Sequence, residues 1–503
     1  MDYQIGIRLD PSDQRPLYQQ IVDQLVQRIH NGALPVGHRL PPTRALAEEL
    51  HTHRNTVVRA FDELSAMGLT ESTVGRGTFV AALPDPTDTP ALERPAPGLT
   101  WSSVISKRLD TERLSRHDRL ARSVRHTDAI NMQRMQPSLD LLPVDSFRRC
   151  MDHVLKNVGA AALAYAPVDG LPALRSEIAL SLSREGVPAR AEDVMITSGS
   201  QQALDLVSRA LIDPGDPVLL EDQSYSGAIS LFAAAGASLI AVRGDEEGPD
   251  LRALSLLSRR GVKLFYLMPN CRNPTGGTIS AVRREGLVKW ARSSGVPVLE
   301  DDYGADLVLD GTPPPAAMRA LDPDVLYVGT FSKKLIPALR IGYLVAPPGI
   351  RSRLMGLKHA ADLGSSLLLQ HALTEFLQRG YLRSHLRTVL PEYRARRDAL
   401  EESLKEHLPE GVEWRHAERG VTLWLMLPPG TDVEAVFRAA ERRGVLVNPG
   451  VLSSVGDDGV AGIRLTFCAE SPERLREGAK RLGKALEEAL GQKRTRASTM
   501  GVV

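Results

Sequence analysis

The stretch VGTFSKKLIPALRIGYL, Val328 to Leu344, decides how the larger part of this chain is read. Two adjacent lysines, Lys333 and Lys334, follow Thr-Phe-Ser, Arg340 comes seven residues after the first of them, and the surroundings are apolar. An amine in such a run is expensive unless it has a chemical task. The rest of the chain has to say which task.

With 503 residues the chain is long enough for several domains of roughly 100–200 residues. Lys and Arg number 62 against 61 Asp and Glu, so whole-chain charge says nothing about partners and local patches must be read instead. The sequence has no run of about 18 apolar residues and no basic-then-apolar start. No membrane association is expected, and the default compartment is the cytoplasm. Cys150, Cys271 and Cys468 are odd in number and show no CxxC spacing, so neither a disulfide framework nor a metal site is expected.

Five prolines in LPDPTDTPALERPAP, residues 83–97, break any regular pattern. The organisation read from this is an N-terminal module at 1–82, a proline-rich linker at 83–125, a large α/β domain at 126–491 and a frayed polar tail at 492–503. In the large domain, apolar runs such as VLYVG and VPVLE alternate with amphipathic helical stretches, the pattern of a mixed, mainly parallel sheet. A smaller C-terminal α+β subdomain is expected to follow it.

In the N-terminal module, Leu17, Ile21, Leu25 and Ile29 recur every four positions between Pro16 and Gly32, which predicts a helix. A short helix near Thr43–Leu50, a turn through His51 and Thr52, and a longer helix carrying Val57, Phe61, Leu64 and Met67 inward form a helix-turn-helix. LTESTVGRGTFVA then reads as a hairpin with a basic tip. The module holds eight arginines, no lysine and nine acids through residue 80, so it is not basic overall. Its arginines nevertheless fall on the docking elements, where guanidinium forks suit phosphate and guanine. GHRLPPTRALAEEL, HRNTVVRAFDEL and GRGTFVA resemble the GntR-type winged helix in order and spacing. The resemblance implies DNA contacts from Arg44, Arg54, Asn55, Thr56, Gly75, Arg76 and Gly77. Arg39 and Arg59 stay open between DNA contact and solvated surface, and Arg59 is counted with the interface.

The carrier that would use a lysine amine is pyridoxal phosphate, an aldehyde on a pyridine ring. It requires a carboxylate at the ring nitrogen, donors to the phenolate oxygen, an anion cradle and an aromatic face. VPVLEDDYGADL is a buried strand ending in acids, which assigns Asp301 to the nitrogen and Tyr303 to the phenolate. VMITSGSQQALDL leads from strand to helix, so the free N–H groups near Ser200 and Gln201 suit a phosphate, though Ser and Gly cap many helices. Tyr225 offers the stacking face and Asn273 a polar turn. Thr330, Ser332 and Arg340 could close the cradle.

AYAPVDGLPALR, TSGSQQALDL, NPTGG, EDDYG, TFSKKLIPALRIGYL and IRLTFC resemble, in family order, the fold-type I, class I aminotransferase domain. That resemblance selects Lys333 as the lysine that bonds the cofactor and leaves Lys334 solvated or a helper. It implies that Tyr165 reaches the cofactor phosphate of a partner subunit and that Arg464 binds the carboxylate of an amino-acid ligand, a structural ion pair being the alternative. RNPTGG and QSYSG are similar to aromatic-amino-acid and aminoadipate transaminases, with Cys271-Arg272-Asn273 where fused regulators often carry His-Gln.

A winged helix, a proline-rich linker and an aminotransferase-like domain together resemble the MocR/PdxR group of bacterial regulators. The expectation is a homodimeric regulator that binds two operator half-sites and senses pyridoxal phosphate or a small amine or amino acid. The competing expectations are a working aminotransferase with an accessory DNA-binding domain, and a DNA-binding protein whose large domain only dimerises.

Overall fold

Apolar side chains collect in one cluster for the N-terminal module and in several for the rest of the chain. The structure is a computed structural model that describes residues 5–10, 13, 15–73, 76–81, 104–106, 128–257, 261–311, 313–456 and 461–500, with side chains through Gly491. Two units separate, Met1–Trp101 and Ser102–Val503. Nearly all of the proline-rich stretch and the wing residue Gly75 lie outside the described residues.

In the first unit the expected helices form at Leu17–His30, Thr43–Glu49 and Arg54–Ala66. Ile21, Leu25, Val57, Phe61 and Leu64 pack into its core. Leu17 and Met67 do not: they are 39% and 50% exposed. Leu17 is the first helical residue and Met67 lies just past the last turn, so neither completes the buried stripe. The wing is the antiparallel pair Thr70–Thr73 and Gly77–Val80. Residues 38–40 add to its outer edge, where Leu40 N–H donates to Thr78 O and Val80 N–H to His38 O.

The second unit carries a seven-stranded sheet in the order Val194–Thr197, Gly342–Val345, Leu326–Thr330, Val298–Asp302, Leu264–Leu267, Pro217–Glu221, Ser238–Val242. Only Gly342–Val345 runs antiparallel to its neighbours, so the sheet is mixed and mainly parallel as the sequence predicts. Its central strands are buried along their full length because helices cover both faces. The smaller subdomain is an antiparallel sheet of Glu413–Trp414, Thr422–Met426, Gly462–Thr466 and Asn448–Pro449, flanked by the long helices Tyr381–His407 and Pro472–Met500. The last helix runs through residues read from sequence as a frayed tail. Extending an existing helix through Gln, Lys, Arg and Ala needs no new nucleus.

The antiparallel strand fixes the site's geometry through one contact. A Cβ on Gly342 would lie 2.7 Å from both the carbonyl carbon of Gly199 and the amide nitrogen of Ser200, so this strand and the start of helix Ser200–Leu211 touch backbone to backbone. Gly342→Ala is expected to destabilise the chain by about 1–3 kcal/mol through overpacking. Gly349→Ala, with nothing within 4 Å of its Cβ, serves as the control. Urea denaturation giving the same midpoint shift for both would contradict the close approach.

Candidate cofactor site and nucleic-acid interface

Strand Leu326–Thr330 delivers the lysines at its carboxyl end, where α/β sheets place ligands. The Thr330 hydroxyl accepts from Ser332 N–H at 3.2 Å and lies 3.1 Å from the Ser332 hydroxyl, which fixes the turn. The two lysines then part. Lys333 Nζ donates to the Met135 carbonyl at 2.7 Å. Burial, with the Arg464 and Arg340 charges, pulls its amine below the usual lysine value, against the opposing pull of Cys468 and Asp301. A depressed amine is the better nucleophile. Lys334 is neither solvated nor near the first amine's partners: its side chain is 12% exposed and pairs with Asp306 at 2.7 Å. The turn after the strand sends one amine to the Met135 carbonyl and the other to the Asp306 carboxylate.

Asp301 is the penultimate residue of strand Val298–Asp302, beside the lysine strand and in register with Val328. It is buried and accepts a hydrogen bond from Tyr266 OH at 2.7 Å. Burial pushes its carboxyl up to about 7, while the Tyr266 hydrogen bond and Lys333 pull the other way. Tyr303 is buried two residues on, its hydroxyl near Thr422. Tyr225 caps helix Ser226–Ala234 and its hydroxyl donates to Gln201 Oε1 at 3.3 Å. Burial raises its phenol above the usual value, the Asp301 charge adds to this, and the Arg464 and Arg340 charges oppose it.

Helix Ser200–Leu211 starts after Gly199, whose φ of 80° suits glycine. A Cβ there would sit 2.7 Å from Arg340 Nη2, so the guanidinium lies directly on the bare helix start. Arg340 reaches it from the left-handed region, φ 49°, and Nη2 donates to Ser198 O at 3.4 Å. The free N–H groups of the helix start and the Arg340 guanidinium thus meet beside Gly342, with Thr330 in register with that glycine, an arrangement that suits an anion.

Arg464, on strand Gly462–Thr466, donates from Nη1 to Asn273 Oδ1 at 3.1 Å and from Nη2 to Gln133 O at 2.8 Å. Burial lowers it to about 10, and no carboxylate pairs with it among the described residues. Asn273 Nδ2 in turn lies 3.6 Å from Met135 Sδ. Lys333, Met135, Asn273 and Arg464 therefore form one connected chain of contacts. Tyr165 stands outside this cluster and is 86% exposed. Sequence reasoning missed Tyr266, whose only signal is its place in an all-buried strand, and the segment Gln133–Gln136, which carries no motif.

The assembled residues fit pyridoxal phosphate. Asp301 is a buried carboxylate held by a neutral phenol, as the ring nitrogen requires, and Lys333, whose amine burial holds below its usual value, follows directly on the Thr330–Ser332 turn.

In the first unit, Arg44, Arg54, Asn55, Arg59 and Arg76 are exposed, and Thr56 and Gly77 are partly so. Arg44 and Arg54 border one shallow hollow with His51 and Thr52. Arg39 and Arg76 border another, between Thr43 and the wing residues Ser72–Thr73. Arg59 is committed in part to its own fold, its guanidinium stacking 3.8 Å over the Tyr18 ring.

Residues 141–482 match the class I and II aminotransferases, and residues 17–80 match the bacterial regulatory proteins of the gntR family. The uncharacterized HTH-type transcriptional regulator YdfD of Bacillus subtilis is 31% identical over 477 residues, 94% of this chain and 97% of its own. The probable rhizopine catabolism regulatory protein MocR of Rhizobium meliloti is 30% identical over 480 residues, 95% of each chain. Among solved structures, the α-aminoadipate aminotransferase LysN of Thermus thermophilus, complexed with N-(5'-phosphopyridoxyl)-L-leucine, superimposes with a TM-score of 0.71 at 32% identity. It covers 78% of this chain and 100% of its own.

The raised Asp301 value yields a pH test on cofactor-free protein. Its folded value, about 7, lies above the ordinary 3.8, so the stability it contributes is full below pH 4 and is lost as pH rises through 7. Asp301→Asn removes that loss and is expected to be more stable than wild type at pH 8, by roughly 2–4 kcal/mol at most, with the gap closing towards pH 4. Thermal unfolding at both pH values checks this. A variant less stable than wild type at pH 8 would contradict it.

Proposed function

The chain belongs to the class I and II aminotransferase family, with a gntR-family regulatory domain fused at its N-terminus, and on that premise we propose that it is a bacterial transcription regulator whose aminotransferase-like domain senses pyridoxal phosphate or an amino compound. Its cofactor is pyridoxal 5'-phosphate. The observation that carries the reading is the Lys333 amine, held by the Met135 carbonyl at the end of the strand next to buried Asp301, in a chain that also presents exposed arginines on a helix-turn-helix and wing.

When bound, the cofactor supplies an aldehyde for amines and a ring that delocalises negative charge. Lys333 presents its amine, and Asp301 holds a proton at the ring nitrogen. Tyr225 covers the ring face, while Tyr303 and Asn273 donate to the phenolate oxygen. Ser200, Gln201, Thr330, Ser332 and Arg340 orient the phosphate, and Arg464 takes a ligand carboxylate. Arg44, Arg54, Asn55, Thr56, Arg59, Arg76 and Gly77, with Gly75 in the wing, contact operator DNA.

A homodimer spanning two half-sites fits the run of exposed apolar residues Leu139, Val144, Leu163 and Tyr165, which a second copy would cover. Tyr165 would then complete the partner's cradle. The module boundaries, 1–82, 83–125 and 126–491, follow from this reading, and its place of action is the cytoplasm, with the DNA. A regulatory ligand must favour one arrangement of the two winged helices over another, or it shifts nothing.

A second reading, an aminotransferase with an accessory DNA-binding domain, draws on the connection of Lys333, Asn273 and Arg464. Turnover of amino and keto acids at ordinary enzyme rates, without a specific DNA complex, would favour it.

Gel shifts on the gene's own upstream DNA test the first reading. Pyridoxal phosphate is expected to change the affinity or footprint of wild type and to leave Lys333→Ala unchanged. Equal responses from both would sink it. Arg76→Ala is expected to weaken operator and random DNA alike and to lower the salt slope by about one. Titrations at several salt concentrations measure that.

A further inference from the structure

The segment Asn131–Ser138 crosses the site without belonging to any motif, yet its backbone holds both ligand-binding cations. Met135 O accepts from Lys333 and Gln133 O from Arg464. The strap is itself fixed. Asn131 Oδ1 accepts from Gln133 N–H at 3.1 Å and from Arg134 N–H at 3.0 Å, Thr466 N–H donates to Met132 O, and Ser138 N–H donates to Cys468 O. At its centre, the Met135 thioether rests on the Asn273 amide. The side chain packs against the core of the large sheet and the core of the small subdomain at once.

We propose that Met135 is a selectivity-determining residue of the amino-compound site, favouring α-amino acids with apolar side chains. The inference rests on the reading of Lys333 and Arg464 as the amine and carboxylate ends of that site. A ligand spanning the two must take over the contacts that the strap now makes, and its side chain then meets the thioether. Methionine is flexible and polarisable, so it can yield to an apolar group and repack on it. A charged side chain there gains no partner from Met135 and is desolvated against the two cores.

The test uses the full chain loaded with pyridoxal phosphate. Apparent Kd values for L-leucine and L-aspartate are read from the change in the visible absorption band, for wild type, Met135→Ala and Met135→Leu. Wild type is expected to prefer leucine. Met135→Ala should lower that preference about fivefold or more, whereas the volume-conserving Met135→Leu should hold it. Methyl NMR supplies a readout independent of reactivity. The Met135 methyl signal, assigned by its absence from Met135→Leu, should shift when leucine is added.

An unchanged leucine-to-aspartate ratio in all three proteins, or an unmoved Met135 signal at saturating leucine, overturns the proposal while leaving the regulator reading intact. No response to either amino acid in any of the three overturns it as well. A wild type that takes up no cofactor fails at the earlier step, and both readings fall together.

Discussion

The second unit is organised around charges that it buries without pairing. Asp301 and Arg464 are buried, Lys333 is half-buried, and none of the three makes an ion pair among the described residues. Other buried charges are ion-paired, as in Lys358–Asp362 and Arg272–Glu221, or held by neutral partners, as Arg284 is by Asn270 and backbone carbonyls and Glu300 is by backbone N–H groups. Unpaired buried charge must be held by neutral partners, here Tyr266 on Asp301, Asn273 and Gln133 O on Arg464, and Met135 O on Lys333. Such a cluster costs stability and is suited to a ligand that brings the missing charges: a pyridinium for the carboxylate, a phosphate for the cradle and a carboxylate for Arg464.

The same constraint explains the topology around it. The antiparallel strand Gly342–Val345 enters between two parallel neighbours, and its glycine lets helix Ser200–Leu211 start against it. That contact brings Arg340 to the helix N-terminus, although the two come from separate stretches of chain. Tyr266 reaches Asp301 from the adjacent strand. Asp301 and Tyr266 are held on neighbouring strands, and Ser332 and Arg340 on the short connection between two strands of the same sheet, which favours fixed geometry.

The first unit works by a different physics. Its core is small and apolar, its arginines are exposed, and its nearly balanced charge means that affinity for DNA must come from placement on the helix-turn-helix and wing. Joining the two units in one chain makes ligand binding and DNA binding thermodynamically reciprocal wherever either shifts the arrangement of the other.

The sequence by itself determined the two-part organisation, the strand ends carrying Asp301 and Lys333, and the three helices and wing of the N-terminal module. These are local matters of periodicity, turn residues and motif spacing. Its errors sit where neighbours decide. Leu17 and Met67 satisfied the helical period and yet stand at helix ends in solvent. Lys334 is indistinguishable from Lys333 by residue type, and only the packed structure turns one towards Met135 and the other towards Asp306. Met135, Gln133 and Tyr266 carry no signal of their own, because their roles consist of contacts with residues 35 to 331 positions away. Contacts of that separation exist only after the sheet and the small subdomain have packed, which is why the tertiary structure alone could assign them.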